Sequence, residues 1–204
     1  MFVQIIQGRV ADKAAARATM DRWLVDLEPG AVGWLGGTFG FTEDGMLVAV
    51  VRFESKEAAE ANNARPEQAA WWEEMSRHFT GDITFHDCAD VSMLVNGGSD
   101  DAGFVQIIQG RVKDRDRAHA LIDGSSRLIA KERPDVIGAT LAIDEDGYLT
   151  ETVAFTSEAE ARNAEKKAMT AELQQMAEEE MALLEDTRYL DLHEPWFASA
   201  RQKR

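Results

Sequence analysis

The chain carries the same hydrophobic pattern twice. The apolar stretch FVQIIQGRV occupies residues 2–10 and recurs letter for letter at residues 104–112, a shift of 102 residues. Gly36 and Gly138 are related by the same shift, as are the Asp-Gly pairs that begin at Asp44 and Asp146. A repeat of this length indicates a tandem duplication in which each copy is one packing unit.

The pattern within the first copy predicts the order β, α, β, β, α, β. Alternating and continuous runs of β-branched residues are typical of strands, and apolar positions at three- and four-residue spacing are typical of helices. The Asp44-Gly45 pair predicts a tight hairpin, and residues 62–65 interrupt the second helical region. The predicted strands are residues 2–10, 32–41, 46–53 and 83–94, and the predicted helices begin at Asp12, Ser55 and Pro66.

The second copy repeats this order after a small, polar, glycine-rich stretch at residues 96–103, which is typical of a linker. The sequence therefore predicts two domains, residues 1–95 and residues 104–204, the latter including a C-terminal tail. The second copy's predicted elements are a helix at 117–129, a strand at 137–143, a helix capped by Ser157 and Glu160, and a closing strand at 189–192.

A β, α, β, β, α, β unit forms an antiparallel sheet of the ferredoxin-like kind with both helices on one face. The strands here are apolar on both faces: in residues 46–53, Leu47 and Val51 alternate with Val48 and Val50. The uncovered face therefore needs a second layer. We expect an α+β fold in which two ferredoxin-like units pack their sheets face to face as a pseudo-dimeric α/β barrel within one chain. The length of the linker also allows the two halves to pair between chains, and a further homodimer is left open.

Composition and charge exclude several classes of function. The formal net charge of −15 disfavours nucleic acid and anionic membrane surfaces. No secretory leader or membrane-spanning run is visible, and the single cysteine, Cys88, fits a reducing compartment, so we expect a cytoplasmic protein. The four histidines show no metal-binding spacing, so we expect no bound metal.

The repeat and the order of elements resemble the antibiotic biosynthesis monooxygenase-like (ABM) domains of the dimeric α/β barrel superfamily. The resemblance covers both copies, from Phe2 to Met93 and from Phe104 to Leu192. It implies the barrel fold and a small-molecule function. Some members oxidise aromatic phenols or quinols with oxygen and no cofactor, and others degrade haem. His78 lies too close to Trp71 and Trp72 to match the haem-degrading pattern, so we expect no haem and no other cofactor.

Differences between the copies favour a site in the first half. At the 102-residue shift Trp34 becomes Val136 and Arg52 becomes Ala154, while Trp71 and Trp72 face Leu173 and Gln174. The first copy is also the one with the asparagine and arginine cluster at residues 62–65. The candidate substrate-binding residues are Trp34, Arg52, Arg65, Trp71 and Trp72.

The resemblance implies an asparagine near a helix end and a tryptophan on the next helix, and Asn62 and Trp72 match that arrangement. Asn62 would hold a substrate oxygen, and His86, beside Asp87 on the last strand, is a candidate general base. Each residue also has a structural interpretation: Trp72 as core, Asn62 as a helix cap, His86 as a strand residue.

Two functions follow from these patterns. The first is an ABM-like, cofactor-independent monooxygenase that acts on an aromatic phenol or quinol in the N-terminal half. The alternative is a non-catalytic module that binds a ligand or packs against a partner.

Overall fold

The structure, a computed structural model, describes residues 1–95 and 97–200. Its contacts divide the chain into two compact units, one formed by residues 1–89 together with the segment that begins at Trp196, the other by residues 90–195. Asn96, at the start of the predicted linker, and the basic residues 201–204 lie outside the described residues. Within the described ranges no helix is long and apolar enough to cross a bilayer.

The secondary structure repeats once along the chain. In chain order the strands are β1 (Phe2–Arg9), β2 (Trp34–Phe41), β3 (Met46–Phe53), β4 (Thr84–Cys88), β5 (Asp90–Leu94), β6 (Phe104–Val112), β7 (Val136–Ile143), β8 (Tyr148–Phe155), β9 (Leu184–Leu192) and β10 (Trp196–Ser199). The helices are α1 (Lys13–Asp26), α2 (Lys56–Asn63), α3 (Pro66–Ser76), α4 (Arg115–Glu132), α5 (Glu158–Glu165) and α6 (Ala171–Leu183).

Each unit contains one antiparallel five-stranded sheet. The strand order is β10-β2-β3-β1-β4 in the first unit and β5-β7-β8-β6-β9 in the second. The repeated stretch forms β1 and β6, each paired on both sides. The predicted tandem ferredoxin-like α+β fold is confirmed.

Local sequence signals set the helix boundaries where they were predicted. The Asp12 carboxylate accepts the backbone N–H of Ala15 at 3.0 Å and so caps α1. The break at residues 62–65 separates α2 from α3, which begins with Pro66. Gly45, at a φ of 87°, closes the predicted hairpin between β2 and β3.

The fifth strand of each sheet comes from outside the predicted unit. The stretch 83–94, predicted as one strand, is two: β4 pairs with β1, whereas β5 pairs with β7 of the second unit. The tail, assigned by sequence to the second copy, forms β10 and pairs with β2 of the first. The compact units therefore differ from the predicted boundaries at residue 95 and in the placement of the tail.

The shared glycines Gly36 and Gly138 lie where these additional strands approach. A Cβ on Gly36 would lie 2.6 Å from the carbonyl oxygen of Ala198 in β10. A Cβ on Gly138 would overlap the carbonyl oxygen of Gly97, just after β5. Because the atoms nearest to each added Cβ belong to the backbone, no flexible side chain can move aside. Only glycine therefore fits at these two positions.

We expect Gly138→Ala to destabilise the protein by several kcal/mol, because its new methyl group must push the Gly97 backbone away from β7. The matched control is Gly124→Ala in α4, where nothing lies within 4 Å of the added Cβ. That change should stabilise the protein by up to about 1 kcal/mol, because alanine has a higher helix propensity than glycine. Urea unfolding of both variants measures the difference, and equal stabilities would contradict the close approach.

Candidate functional site

The first unit encloses a cavity between its sheet and helices α1, α2 and α3. Its volume is about 70 Å³, and all five tryptophans of the chain contribute to its wall. They come from four separate elements: Trp23 from α1, Trp34 from β2, Trp71 and Trp72 from α3, and Trp196 from β10.

The indoles pack against one another edge to face. The ring centroids of Trp23 and Trp34 are 5.2 Å apart at an interplanar angle of 62°, and Trp23 and Trp71 are 6.4 Å apart at the same angle. Trp72 packs against Trp71 and, on its other side, against Phe85. The T-shaped pairs of Trp23 with Trp34 and with Trp71 are a favourable arrangement of aromatic rings, whereas Trp71 and Trp72 are tilted at 45°.

Two indole N–H groups are occupied within the protein. Trp71 Nε1 donates to the carbonyl oxygen of Thr19 at 2.9 Å, and Trp23 Nε1 donates to Gln68 Oε1 at 2.6 Å. The Nε1 of Trp196 is buried and has no hydrogen-bond partner within residues 1–95 and 97–200. An unsatisfied buried donor is costly, which makes Trp196 a candidate for binding a ligand acceptor.

Asn62 supplies a second polar group. It is 4% exposed, lies at the end of α2 and lines the cavity. Its Oδ1 accepts a hydrogen bond from Arg65 Nη1 at 3.0 Å, and the same Nη1 donates to the Leu27 carbonyl at 3.1 Å. Arg65 thereby fixes the orientation of the amide, whose amino group remains as a donor.

The structure brings together four of the seven residues proposed from sequence. The four residues that line the cavity are Trp34, Asn62, Trp71 and Trp72. Arg65 donates a hydrogen bond to Asn62 but does not line the cavity itself.

Arg52 and His86 lie on the opposite face of the sheet. In β3 the cavity-lining residues are Leu47, Ala49, Val51 and Phe53. Arg52 alternates with them and donates to Thr38 Oγ1 at 3.0 Å. His86 pairs with Ile5, whereas the cavity side of β1 carries Gln4 and Ile6. The grouping of Arg52 and His86 with Asn62 in one site is therefore corrected: the pleat separates them.

Sequence reasoning missed Trp23, Gln68 and Trp196 as wall residues. Trp23 lies on α1 within the core of the first unit, and it also lines the cavity. The signal for Trp196 was a short apolar run, Trp196 to Ala198, directly after Pro195, which is typical of an edge strand. Its partner strand lies more than 150 residues away in sequence and could not be read from the tail itself.

The side chains that line this cavity are apolar or neutral amides; none of them ionises in the ordinary pH range. The cavity can therefore surround a flat, uncharged ring and donate hydrogen bonds to one of its oxygens. Among the described residues no group of three or more histidine, cysteine or carboxylate side chains could hold a metal ion.

No protein-family model matches the sequence, and no curated protein matches it. Solved structures do match over nearly the whole chain. One, from Lactobacillus acidophilus and provisionally named a monooxygenase, superposes with a TM-score of 0.74 at 14% identity, covering 98% of this chain and 96% of its own. An anthrone oxidase-like protein gives 0.71 at 12% identity, covering 100% and 94%.

A third structure, from Listeria monocytogenes, is described as a ferredoxin-fold protein related to antibiotic biosynthesis monooxygenases. It superposes with a TM-score of 0.53 at 11% identity, covering 95% of this chain and 94% of its own. At these identities the likeness concerns the fold. The resemblance drawn from the repeat is confirmed at that level: this chain has the tandem ferredoxin-like fold of the ABM-like proteins.

Proposed function

We propose that the first unit binds a small phenol or quinol in its tryptophan-lined cavity and oxidises it with molecular oxygen without a bound cofactor. The observation that carries this proposal is the convergence of all five tryptophans, together with the fixed amide of Asn62, on one neutral cavity. Flat indole walls suit an aromatic ring, and the polar donors suit its oxygen.

The size of the cavity limits the ligand. Its volume of about 70 Å³ is well below the roughly 300 Å³ of pockets that hold drug-sized molecules. It is also below the roughly 150 Å³ of a cavity that admits benzene, so even a single ring requires the half-buried Trp71 and Trp72 to move. The polycyclic aromatics that some ABM-like enzymes accept would require a larger movement.

Asn62 and Trp196 are alternative donors to the substrate oxygen, since Asn62 lies near the Leu27 end of α1 and Trp196 packs against Arg17 near its start. Both are donors, and a donor becomes more favourable as the bound phenol ionises, because a hydrogen bond to an anion is stronger than one to a neutral oxygen. Stabilising the phenolate is the protein's contribution to the reaction, since the anion is the form that gives an electron to oxygen.

The reaction balances without another reductant. The phenolate gives one electron to O₂, and the two radicals combine at a hydrogen-bearing ring carbon ortho or para to the oxygen to form a peroxide. Loss of water from the peroxide gives a quinone, so that one oxygen atom enters the product and the other leaves as water. The phenol supplies all four electrons.

The neighbour described as an anthrone oxidase-like protein is consistent with such chemistry, but its 12% identity supports the fold alone. The competing function is a binding module that holds the same ligand without turnover. The small cavity and the absence of an ionisable wall residue are compatible with it. Oxygen consumption separates the two functions.

We expect phenol to quench the tryptophan fluorescence on binding. Trp196→Phe, which removes the Nε1–H and keeps a ring, should weaken phenol binding about fivefold to tenfold and leave toluene binding within twofold, because toluene accepts no hydrogen bond. Asn62→Ala should act in the same direction. Arg52→Ala, on the other face of the sheet, is the matched control and should bind phenol normally. Equal losses for toluene and phenol would contradict a polar role for Trp196.

We expect the rate of oxygen consumption to follow the ionisation of the substrate, because no side chain in the cavity wall titrates. The midpoint of the pH–rate profile should therefore shift with the acidity of the phenol, moving down by about as many pH units as the phenol pKa is lowered by ring substituents. An oxygen electrode measures the rates across pH. A midpoint that is the same for every phenol would contradict this expectation, because it would show that a group of the protein titrates instead of the substrate.

A further inference from the structure

The second unit carries a buried glutamate at a position where the first unit has an alanine. Glu151 lies in the middle of β8 and pairs across the sheet with Ile108. Its counterpart at the 102-residue shift is Ala49, which pairs with Ile6 and lines the tryptophan cavity. Glu151 is 5% exposed.

Glu151 lines a cavity of about 180 Å³ between the second sheet and its helices. Most of the wall is aliphatic or aromatic, including Ile122, Val153 and Phe155. An open cleft of about 730 Å³ adjoins it and shares wall residues with it, among them Ile108 and Glu180. Glu151 is thus buried in a cavity that borders an open cleft.

Glu180 of α6 is the direct partner of Glu151. Burial, and then the charge and hydrogen bond of Glu180, raise the pKa of the Glu151 carboxyl well above its usual value of 4.5. Two carboxyl groups that share a hydrogen bond hold one proton between them. The Glu151 carboxyl therefore keeps its proton to a higher pH than an exposed glutamate does.

Among the described residues no cation is paired with Glu151 or Glu180, and Lys167 lines only the outer cleft, where it is exposed. Arg133, which lines both spaces, is engaged by Asp135 through hydrogen bonds of 3.0 and 2.7 Å. Glu165 of α5 also faces the cavity and is paired with Arg162 at 3.1 Å. Tyr189 of β9 lines the outer cleft, and burial and the charges of Glu180 and Glu151 raise its pKa.

A buried acid without a cation is unfavourable, and the fold does not require it, because the first copy builds the same strand with alanine. The site has the features that an organic cation needs: two carboxyl groups at one end and an apolar wall around them.

We propose that this cavity binds a small primary amine with an apolar body, whose ammonium group lies between Glu151 and Glu180. This site is separate from the tryptophan-lined cavity and does not depend on the function proposed for it.

Binding changes the protonation of the pair. The incoming ammonium donates hydrogen bonds to both carboxylates, so the proton that they share leaves to solvent. One proton is released for each amine bound. Affinity should therefore rise with pH, by up to tenfold per unit, until the pH passes the raised pKa of Glu151.

Benzylamine tests the site, with benzyl alcohol as its neutral counterpart. Isothermal titration in buffers of different ionisation enthalpy should show benzylamine binding with release of about one proton, and at least tenfold weaker binding of benzyl alcohol. Glu151→Gln keeps the size and a hydrogen bond to Glu180, and should weaken benzylamine at least tenfold. Glu180→Gln is the second variant. Glu178→Gln, exposed on the same helix and bonded to Gln174, should bind as the unmodified protein does.

The distribution of aromatic residues identifies the site that is occupied. All five tryptophans line the cavity of the first unit, and both tyrosines, Tyr148 and Tyr189, lie in the second. Benzylamine bound beside Glu151 should leave the quenching of tryptophan fluorescence by phenol unchanged. Three results would each overturn the proposal. They are competition between benzylamine and phenol, a benzylamine affinity that is unchanged in Glu151→Gln and Glu180→Gln, and no detectable binding at about 10 mM benzylamine, a concentration well above the Kd of about 1 mM of a weak ligand.

The same pair makes stability depend on pH. The pKa of Glu151 is higher in the folded protein than in the unfolded chain. Its contribution to the free energy of unfolding is therefore fully present below about pH 4.5 and is lost as the pH rises toward the folded-state pKa. The unfolding equilibrium constant should rise by up to tenfold per pH unit over that window, and Glu151→Gln should remove this dependence. Urea unfolding between pH 5 and pH 8 measures it; an unchanged slope in the variant would show that Glu151 is not the titrating group.

Discussion

The register between the repeated strand and its antiparallel neighbour decides which side chains face the helices in each unit. Ile6 pairs with Ala49 in the first sheet, and Ile108 pairs with Glu151 in the second. The register is the same in both copies, so a position in one copy has a defined structural counterpart in the other. A slip of one residue would move every side chain to the other face. The cavities, and the chemistry of their walls, depend on this alignment.

On this common framework the two copies have acquired different interiors. The first unit fills the space between sheet and helices with indole rings and neutral amides, leaving a small cavity of about 70 Å³. The second has smaller aliphatic residues there and a buried acid, with a cavity of about 180 Å³ that continues into an open cleft. Duplication allows this because one copy can retain a packed core while the other accepts the cost of a buried charge. Indoles favour flat uncharged rings, whereas an acid pair favours cations.

The edges of the sheets link the two halves of the chain. Strand β5 follows the first copy but pairs in the second sheet, and β10 follows the second copy but pairs in the first. Pairing satisfies backbone groups that a free edge would expose and leave open to aggregation. The strand β10 also brings Trp196 to the cavity wall. The aromatic cavity of the first unit is therefore completed by residues from the end of the chain, so a fragment that contains only the first copy would lack one wall.

The sequence by itself determined the duplication, the order of strands and helices, the hairpin at Asp44-Gly45 and the helix break before Pro66, because these depend on local periodicity and on the conformational limits of glycine and proline. It also identified four residues of the cavity wall: Trp34, Trp71 and Trp72 from the differences between the copies, and Asn62 from the family resemblance. Tertiary structure decided the rest. Period-two alternation separates the two faces of a strand, but it does not say which face the helices cover, and Arg52 and His86 proved to lie opposite Asn62. The pairing of β10 with β2 joins residues that are distant in sequence. The burial of Glu151 beside Glu180 depends on how α6 packs on the second sheet. Such contacts depend on the free energy of the whole folded unit, so they cannot be predicted from local sequence patterns.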